Sequence, residues 1–279
     1  MAKVIMIQGT ASNVGKTMLT IGLCRIFRQD GYLVAPFKAQ NMTANTYSTM
    51  AGDEIAVSQW LQALAARVLP IVDMSPIILK PSSSYKETQI ILNGKPFDKV
   101  NAYNFEELKK RLVPEIMEAY SRLLNKYDIV VIEGAGSPVE LNLNKNDIVN
   151  MGMAKMANAP VLLATDIDRG GAFASLFGTI NLLDEVERTY VKATIINKFR
   201  GKVSFFENGV KIIEDITKLP VAGIVPYTTI MLPEEDGLSE NYHNLLQLDN
   251  YEDQFNIIAD NMRKSLNMEL IYNIIKNGI

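Results

Sequence analysis

The residues with the most specific chemical pattern lie near the N-terminus, where GTASNVGKT occupies positions 9–17. This segment follows an apolar run at 4–7 and precedes a helical pattern at 18–27. A glycine-rich turn between a buried strand and a helix presents backbone N–H groups to phosphates. In that setting Lys16 would contact the β- and γ-phosphates, and the Thr17 hydroxyl would coordinate Mg²⁺. The sequence therefore predicts a P-loop that binds ATP and Mg²⁺.

The spacing within this predicted P-loop is unusual. The strict pattern places four residues between a first glycine and Gly15, but that first position is Thr10, and Gly9 lies one place earlier. We therefore expect a variant subfamily. The residues predicted to surround the nucleotide phosphates are Thr10, Asn13, Val14, Gly15, Lys16, Thr17 and Met18.

Acidic residues follow two further predicted strands. Glu133 ends the strand at 129–132 and precedes a Gly-Ala-Gly run that permits close backbone approach, so we predict a second Mg²⁺ ligand there. The alternative is a helix cap or a solvated acid. Asp166, Asp168 and Arg169 follow the strand at 161–165, and their alternative role is a helix cap with a surface ion pair.

A cation and two amides follow the second predicted strand, at 33–37. Lys38, Gln40 and Asn41 would lie at the active edge of the sheet and suit the binding of a carboxylate or phosphate. Taken alone, this segment favours neither a functional nor a structural role.

The elements that must position these residues alternate between short apolar runs and longer helical patterns. This rhythm is typical of βαβ units in an α/β fold, with a mostly parallel sheet and helices on both faces. Residues 70–103 interrupt it and predict an insertion over one sheet edge, with a strand at 88–92 and substrate-facing loops. The other predicted helices lie at 55–68, 148–156 and 173–183, and the other strands at 191–196 and 221–225.

Charge and composition exclude several classes of binding partner and site. The net charge of −3 and pI near 5.4 provide no basic surface for nucleic acid. The single cysteine, Cys24, excludes an internal disulfide, and with a single histidine, His243, it excludes a Cys/His metal cluster. No apolar run approaches the roughly 20 residues needed to cross a bilayer. We therefore expect a cytoplasmic protein that acts on a small molecule.

Seven segments, taken together and in this order, resemble cobyric acid synthase, a glutamine-dependent amidase of cobalamin biosynthesis. Its synthetase half is a P-loop domain of the dethiobiotin-synthetase-like fold. The resemblance covers residues 1–240. The matching segments are 8–16, 35–42, 72–76, 133–138, 166–171, 197–201 and 232–236.

The resemblance implies a metal site and a reaction. Dethiobiotin synthetase is similar in holding Mg²⁺ at positions that correspond here to Thr17, Glu54 (with Gln59) and Glu133. The implied reaction transfers the γ-phosphate of ATP to a corrinoid carboxylate, and ammonia converts the acyl phosphate into an amide. Lys16, Lys38 and Mg²⁺ would stabilise the transferring phosphoryl group.

The resemblance also implies roles for less conspicuous residues. Asn197 would contact adenine, although Lys202 replaces the aspartate usual in the family and leaves strict ATP preference open. Enzymes of this type build substrate sites at dimer interfaces, which implies a homodimer. The residues implied to bind the acceptor are Gln40, Asn41, Gln59, Asp166, Asp168 and Arg169.

One departure concerns the source of ammonia. Complete cobyric acid synthases carry a glutaminase domain with a nucleophilic cysteine after the Pro-Glu-Glu-Asp segment. About 43 residues follow Asp236 here, without a cysteine, and the end of the chain resembles the C-terminus of full-length members. We therefore expect a short form, with a synthetase domain over 1–236 and a linker and helical tail over 237–279. Ammonia would come from solution or from a separate glutaminase subunit.

Three functions remain open on the sequence. The first is an ATP-dependent C–N ligase that amidates a corrinoid carboxylate. The second is a dethiobiotin-synthetase-like ligase or carboxylase acting on another small substrate. The third is a nucleotide-switched binding module. The retained segments around Lys38 and Asp166 favour the first, because a switch needs only its phosphate site and the loops that respond to it.

Overall fold

A computed structural model describes residues 2–81, 88–100, 102–142, 146–230, 232 and 251–279. In chain order its strands are β1 (Lys3–Gly9), β2 (Val34–Phe37), β3 (Gln40–Met42), β4 (Thr46–Ser48), β5 (Glu54–Ala56), β6 (Ile77–Pro81), β7 (Thr88–Leu92), β8 (Lys95–Val100), β9 (Ile129–Glu133), β10 (Val161–Asp166), β11 (Val191–Phe199) and β12 (Val221–Pro226). The helices are α1 (Lys16–Gln29), α2 (Val57–Ala65), α3 (Ala102–Lys126), α4 (Met151–Ala157), α5 (Ala172–Leu182), α6 (Glu185–Tyr190), α7 (Glu207–Thr217), α8 (Tyr251–Ser265) and α9 (Met268–Asn277).

The central sheet contains six parallel strands in the order β12-β11-β10-β1-β9-β2. From β1 the chain crosses through α1 towards β2, and from β10 it crosses in the opposite direction through α5 and α7. Right-handed crossovers in opposite directions place their helices on opposite faces of the sheet. The predicted α/β fold with a mostly parallel sheet is therefore confirmed.

Burial explains why the short apolar runs form central strands. Every residue of β9 is buried, as are the last five residues of β1, so both faces of these strands are covered. The register pairs Ile7 with Glu133 and Gly9 with Ala164. The P-loop, Glu133 and Asp166 consequently emerge at the same edge of the sheet.

Within the insertion predicted at 70–103, residues 82–87 lie outside the described residues, and β6, β7 and β8 join β3 in a second sheet, which we call the accessory sheet. Its order is β3-β6-β7-β8, and the strand predicted at 88–92 coincides with β7. β3 joins it in parallel with β6, because the chain turns away from the central sheet directly after β2. A separate ribbon pairs β4 with β5.

Two predicted helices begin later in the structure than the sequence predicts. The helix predicted at 55–68 begins at Val57, because Ile55 pairs in β5, and its last residue is Ala65. The helix predicted at 148–156 begins at Met151, because the Asp147 carboxylate accepts hydrogen bonds from the backbone N–H groups of 149, 150 and 152. The 25-residue α3 was not predicted at all.

The tail predicted to be helical contains α8 and α9. α8 packs directly on the P-loop helix α1, where the buried Arg25 donates hydrogen bonds to Glu252 and Asn256. The predicted boundary at 236 and His243 lie outside the described residues. None of the described helices combines the length and apolar character that a membrane span requires.

Candidate nucleotide and acyl-transfer site

The P-loop turn depends on a glycine directly before α1. Gly15 has a φ of +97°, a left-handed conformation that glycine adopts readily. A Cβ atom there would lie 2.2 Å from Nδ2 of Asn197. That amide donates to the Val14 carbonyl at 2.7 Å. The turn is therefore packed against β11, from which Asn197 extends.

Lys16 joins the P-loop to the loop after β9. Its ammonium donates to the Ala11 carbonyl at 3.1 Å and to the Gly136 carbonyl at 2.9 Å. Asn150 braces this second loop, since its amide bonds the backbone N–H and carbonyl of Ala135 at 3.0 and 2.6 Å. A Cβ on Gly134 would lie 2.3 Å from Oδ1 of Asn150, so the glycine permits this approach as predicted.

Thr17, Lys38 and Glu133 meet between the two loops. Oε1 of Glu133 accepts hydrogen bonds from the Thr17 hydroxyl at 2.9 Å and from the Lys38 ammonium at 3.1 Å. Lys38 and Glu133 are both buried. A buried carboxylate must be paired and hydrogen-bonded to stay charged, and this one is. The structure thus places Lys38 beside two of the three predicted metal ligands, Thr17 and Glu133.

The oxygens of Thr17 and Glu133 suit a magnesium ion. Two oxygens that share an octahedral ion at about 2.1 Å lie about 3 Å apart, close to the observed 2.9 Å. Among the described residues no group of three or more His, Cys, Asp or Glu side chains could hold a metal. This sparse donor set fits Mg²⁺, which is usually bound by one or two protein groups together with phosphates and water.

Glu54, the third predicted metal ligand, lies elsewhere. Its carboxylate, in β5, pairs with Lys80 of β6 and accepts a hydrogen bond from Thr46 of β4 at 2.8 Å. Burial acts to raise the pKa of Glu54, but the hydrogen bonds from Lys80 and Thr46 and the lysine charge lower it overall. No described hydrogen bond connects Glu54 to Thr17 or Glu133.

The residues predicted to bind the acceptor separate into three groups, of which Asp166 and Asp168 are the last. Gln40 and Arg169 line the cleft that contains the P-loop. Asn41 and Gln59 are fully buried and hydrogen-bond to each other at 2.7 Å, behind the cleft wall. Sequence reasoning missed Gln62, which donates to Oε2 of Glu133. Its position three residues after Gln59, on the same face of a helix, was the available signal.

Asp166 and Asp168 form ion pairs at the C-terminal end of β11, with Lys198 and Arg200 respectively. Asp166 accepts from Lys198 at 3.0 Å, and Lys198 also bonds the Asn13 carbonyl of the P-loop. Asp168 pairs with Arg200 at 2.7 Å, and this hydrogen bond lowers the pKa of Asp168. The two acids therefore fix the rim beside the P-loop.

A single cleft of about 1230 Å³ connects these features. The phosphate end includes Lys16, Thr17 and Lys38, and Asn197 also lines the cleft, against the P-loop. On the rim, the Arg200 guanidinium lies 3.5 Å from the centre of the Tyr227 ring. The accessory sheet and α3 supply a further wall. The residues of that wall are Gln40, Met42, Leu79, Thr88, Val100 and Lys109.

Comparison with known proteins gives relatives for most of the chain. The cobyric acid synthase of Ruminiclostridium cellulolyticum is 55% identical over 242 residues, 87% of this chain and 47% of that protein. The cobyric acid synthase of Listeria monocytogenes is 50% identical over 88% of this chain and 48% of its own length. The chain therefore spans about half the length of these curated relatives.

Among solved structures, the MinD cell division protein of Aquifex aeolicus matches with a TM-score of 0.43 and 18% identity, over 94% of this chain and 96% of that one. This likeness is too low to carry an argument, and it gives no support to the dethiobiotin-synthetase-like label. The family model described as the CobQ/CobB/MinD/ParA nucleotide binding domain matches residues 5–238. With its glycine turn, Lys16 and Thr17 in place on that span, the chain belongs to this nucleotide-binding family.

Proposed function

We propose that the protein is an ATP- and Mg²⁺-dependent ligase that amidates side-chain carboxylates of a corrinoid through an acyl phosphate. The observation that carries the proposal is the continuous cleft. It extends from the buried Lys16 and Lys38 at the phosphate end to the wall formed by the accessory sheet. The similarity to cobyric acid synthases supports the acceptor class. A volume of about 1230 Å³ has room for both a nucleotide and a bulky acceptor.

In the proposed first step, a carboxylate oxygen of the acceptor attacks the γ-phosphorus of ATP. The bond between that phosphorus and the β–γ bridging oxygen breaks, and ADP leaves. Lys16 and Lys38 stabilise the negative charge of the phosphoryl group during transfer, because both are fixed before the reaction by contacts within the protein. Thr17 and Glu133 would hold Mg²⁺, which neutralises phosphate charge when bound.

In the second step, ammonia attacks the carbonyl carbon of the acyl phosphate. The carbon–oxygen bond to phosphate breaks, inorganic phosphate leaves, and the nitrogen loses a proton to give the amide. Gln40 and Arg169, which line the cleft, are proposed to bind the acceptor, and Asn197 to contact the base. We retain a homodimer as part of the proposal, to be tested by light scattering.

The ammonia is proposed to come from solution or from a separate glutaminase. Cys24 is the only cysteine in the sequence, and it is buried in α1. Burial, and secondarily the charge of Glu133, raises the pKa of its thiol far above the usual range. A buried, protonated thiol cannot act as the nucleophile that glutamine hydrolysis requires.

The test is to follow ADP release with Mg-ATP, ammonium and cobyrinic acid a,c-diamide, and to identify products by mass. Amide formation with ammonium, but not with glutamine in its place, is the expected result. ATP binding without corrinoid-dependent turnover would overturn the amidase. It would favour instead a dethiobiotin-synthetase-like reaction on a different acceptor, or a nucleotide switch.

A further inference from the structure

A line of buried polar side chains runs from the accessory sheet to Glu133. It begins at Ser75, which accepts a hydrogen bond from Asn41 of β3 at 3.0 Å. It continues through the two glutamines of α2, Gln59 and Gln62. Each of these five side chains is at most 1% exposed. A buried polar group without a partner is costly, so such a line persists only where its hydrogen bonds are satisfied.

The hydrogen bonds in this line have a defined direction. The amide of Asn41 donates to Oε1 of Gln59 at 2.7 Å, and Nε2 of Gln59 donates to Oε1 of Gln62 at 3.2 Å. Because the carbonyl of Gln62 is occupied in this way, its NH₂ group faces Glu133 and donates to Oε2. The orientation of the last amide is therefore set by the earlier ones.

This arrangement assigns different tasks to the two oxygens of Glu133. Oε2 is held by Gln62, whereas Oε1 faces Thr17 and Lys38. Without the amide, the carboxylate could rotate and bring either oxygen, or both, against the Lys38 ammonium. Gln62 thus restricts the rotation of the Glu133 carboxylate and keeps Oε1 facing Thr17 and Lys38.

We propose that Gln62 is a positioning residue for the magnesium site, and that Gln59 and Asn41 act through it. The proposal rests on the proposed function, since it concerns the residues that would hold Mg²⁺. The line of hydrogen bonds also links the two ends of the cleft, because Asn41 lies in β3 between Gln40 and Met42, which both belong to the cleft wall formed by the accessory sheet and α3. A change at that wall is transmitted to Oε1 of Glu133 through three amides.

The test is a magnesium titration of nucleotide binding, measured with a fluorescent ATP analogue, on the full chain. For Gln62→Met, which keeps the side-chain length but not the donor, we expect the Mg²⁺ midpoint to rise roughly tenfold. Affinity in EDTA should change less than about twofold, because the P-loop contacts are untouched. Gln59→Met should shift the midpoint by about threefold, since Gln62 keeps its own donor. The exposed Gln29→Met is the matched control, with no shift.

Gln62→Asn provides a second variant, in which a polar amide remains but is too short to reach Oε2. Circular dichroism and thermal unfolding identify which variants are folded. If wild type shows no Mg²⁺-dependent nucleotide binding, the proposed function fails. If wild type shows it and the folded variants at 62 and 59 keep the wild-type midpoint, the positioning role is overturned.

Discussion

At the scale of single residues, the site concentrates charge where water is excluded. Lys38 and Glu133 are 4% and 1% exposed, and each has the other as a partner. Removing one member of a buried ion pair leaves an uncompensated buried charge, so the loss of either side chain is destabilising. A comparable pair, Lys80 of β6 and Glu54 of β5, is partly exposed. Comparing substitutions in the two pairs distinguishes a catalytic role of Lys38 from the general effect of removing an ion pair.

We predict that Lys38→Met lowers kcat for corrinoid-dependent ADP formation by about 100-fold, because a preorganised cation at the transferring phosphoryl group is lost. Lys80→Met is the matched control and should change kcat less than about threefold, since a partly exposed pair contributes little. Steady-state kinetics at saturating Mg-ATP measure both. Equal losses in the two variants would contradict the assignment of Lys38.

A second prediction concerns a buried hydroxyl in β11. Oγ1 of Thr194 has no hydrogen-bond partner among the described residues, and the residue is fully buried. Thr194→Val should therefore raise the free energy of unfolding by about 1 kcal/mol. Thr217→Val should lower it by about 1 kcal/mol, because that buried hydroxyl donates to the Ile213 carbonyl at 2.6 Å. Urea denaturation at pH 7 compares them, and the same sign for both would refute the argument.

At the scale of elements, the start of α4 shows how a loop fixes a helix that braces the site. The Asp147 carboxylate bonds three backbone N–H groups at this start, and Asn150, the residue before the helix, holds the loop that Lys16 contacts. Gly152 lies so close to this turn that a Cβ would sit 1.7 Å from the Asp147 carbonyl oxygen. The position of α4 therefore requires glycine at residue 152.

We predict that Gly152→Ala destabilises the protein by about 3 kcal/mol or more, because rigid backbone cannot move away from the new methyl group. Gly178→Ala in α5 is the matched control. A Cβ there meets nothing within 4 Å, and alanine should stabilise the helix by up to about 1 kcal/mol. Thermal unfolding distinguishes the two. A similar effect of both substitutions would show that the close approach is not rigid.

The sequence predicted the strands of the central sheet well, because each is a short, largely apolar run whose residues are mostly buried. It predicted the P-loop turn from the spacing of Gly15, Lys16 and Thr17 between a strand and a helix. It did not predict α3, whose segment includes Pro114 within the helix, a residue that reads as a break. Nor could it separate Gln40, in the cleft, from Asn41, behind it, since their side chains diverge only once β3 pairs with β6.

At the scale of the whole molecule, the cleft lies where the direction of winding changes. β1 is flanked by β9 and β10, and the crossovers beyond them proceed in opposite directions. Ligands of open α/β sheets bind in the crevice at such a switch point. The C-terminal α8 closes one side of it, because Ile258, Asn261 and Met262 also line the cleft. Asn261 donates to the Thr228 hydroxyl at 3.1 Å and connects α8 to the loop after β12.

The attachment of α8 predicts a pH dependence of stability. Burial acts to raise the pKa of Glu252, but hydrogen bonds and charge from Arg25 and Arg67 lower it overall. Because the pKa of this carboxylate is lower in the folded than in the unfolded state, the ionised side chain stabilises the fold above the unfolded pKa near 4.3. This stabilisation is lost as the pH falls through the folded pKa. Glu252→Gln should cost roughly 0.5–1 kcal/mol at pH 7, small because the carboxylate is half exposed. Urea unfolding between pH 7 and 3 should show this difference vanishing at low pH, and a constant difference would disprove it.

The packing of α8 on α1 also limits how early the domain can finish folding during synthesis on the ribosome. Gly22 of the P-loop helix faces the sulfur of Met262, about 240 residues later in the chain. At roughly 5–20 residues per second, synthesis leaves that surface of α1 uncovered for some tens of seconds after the P-loop has emerged. Nascent chains halted before Tyr251 would therefore expose it, and become targets for chaperones that recognise apolar helix faces.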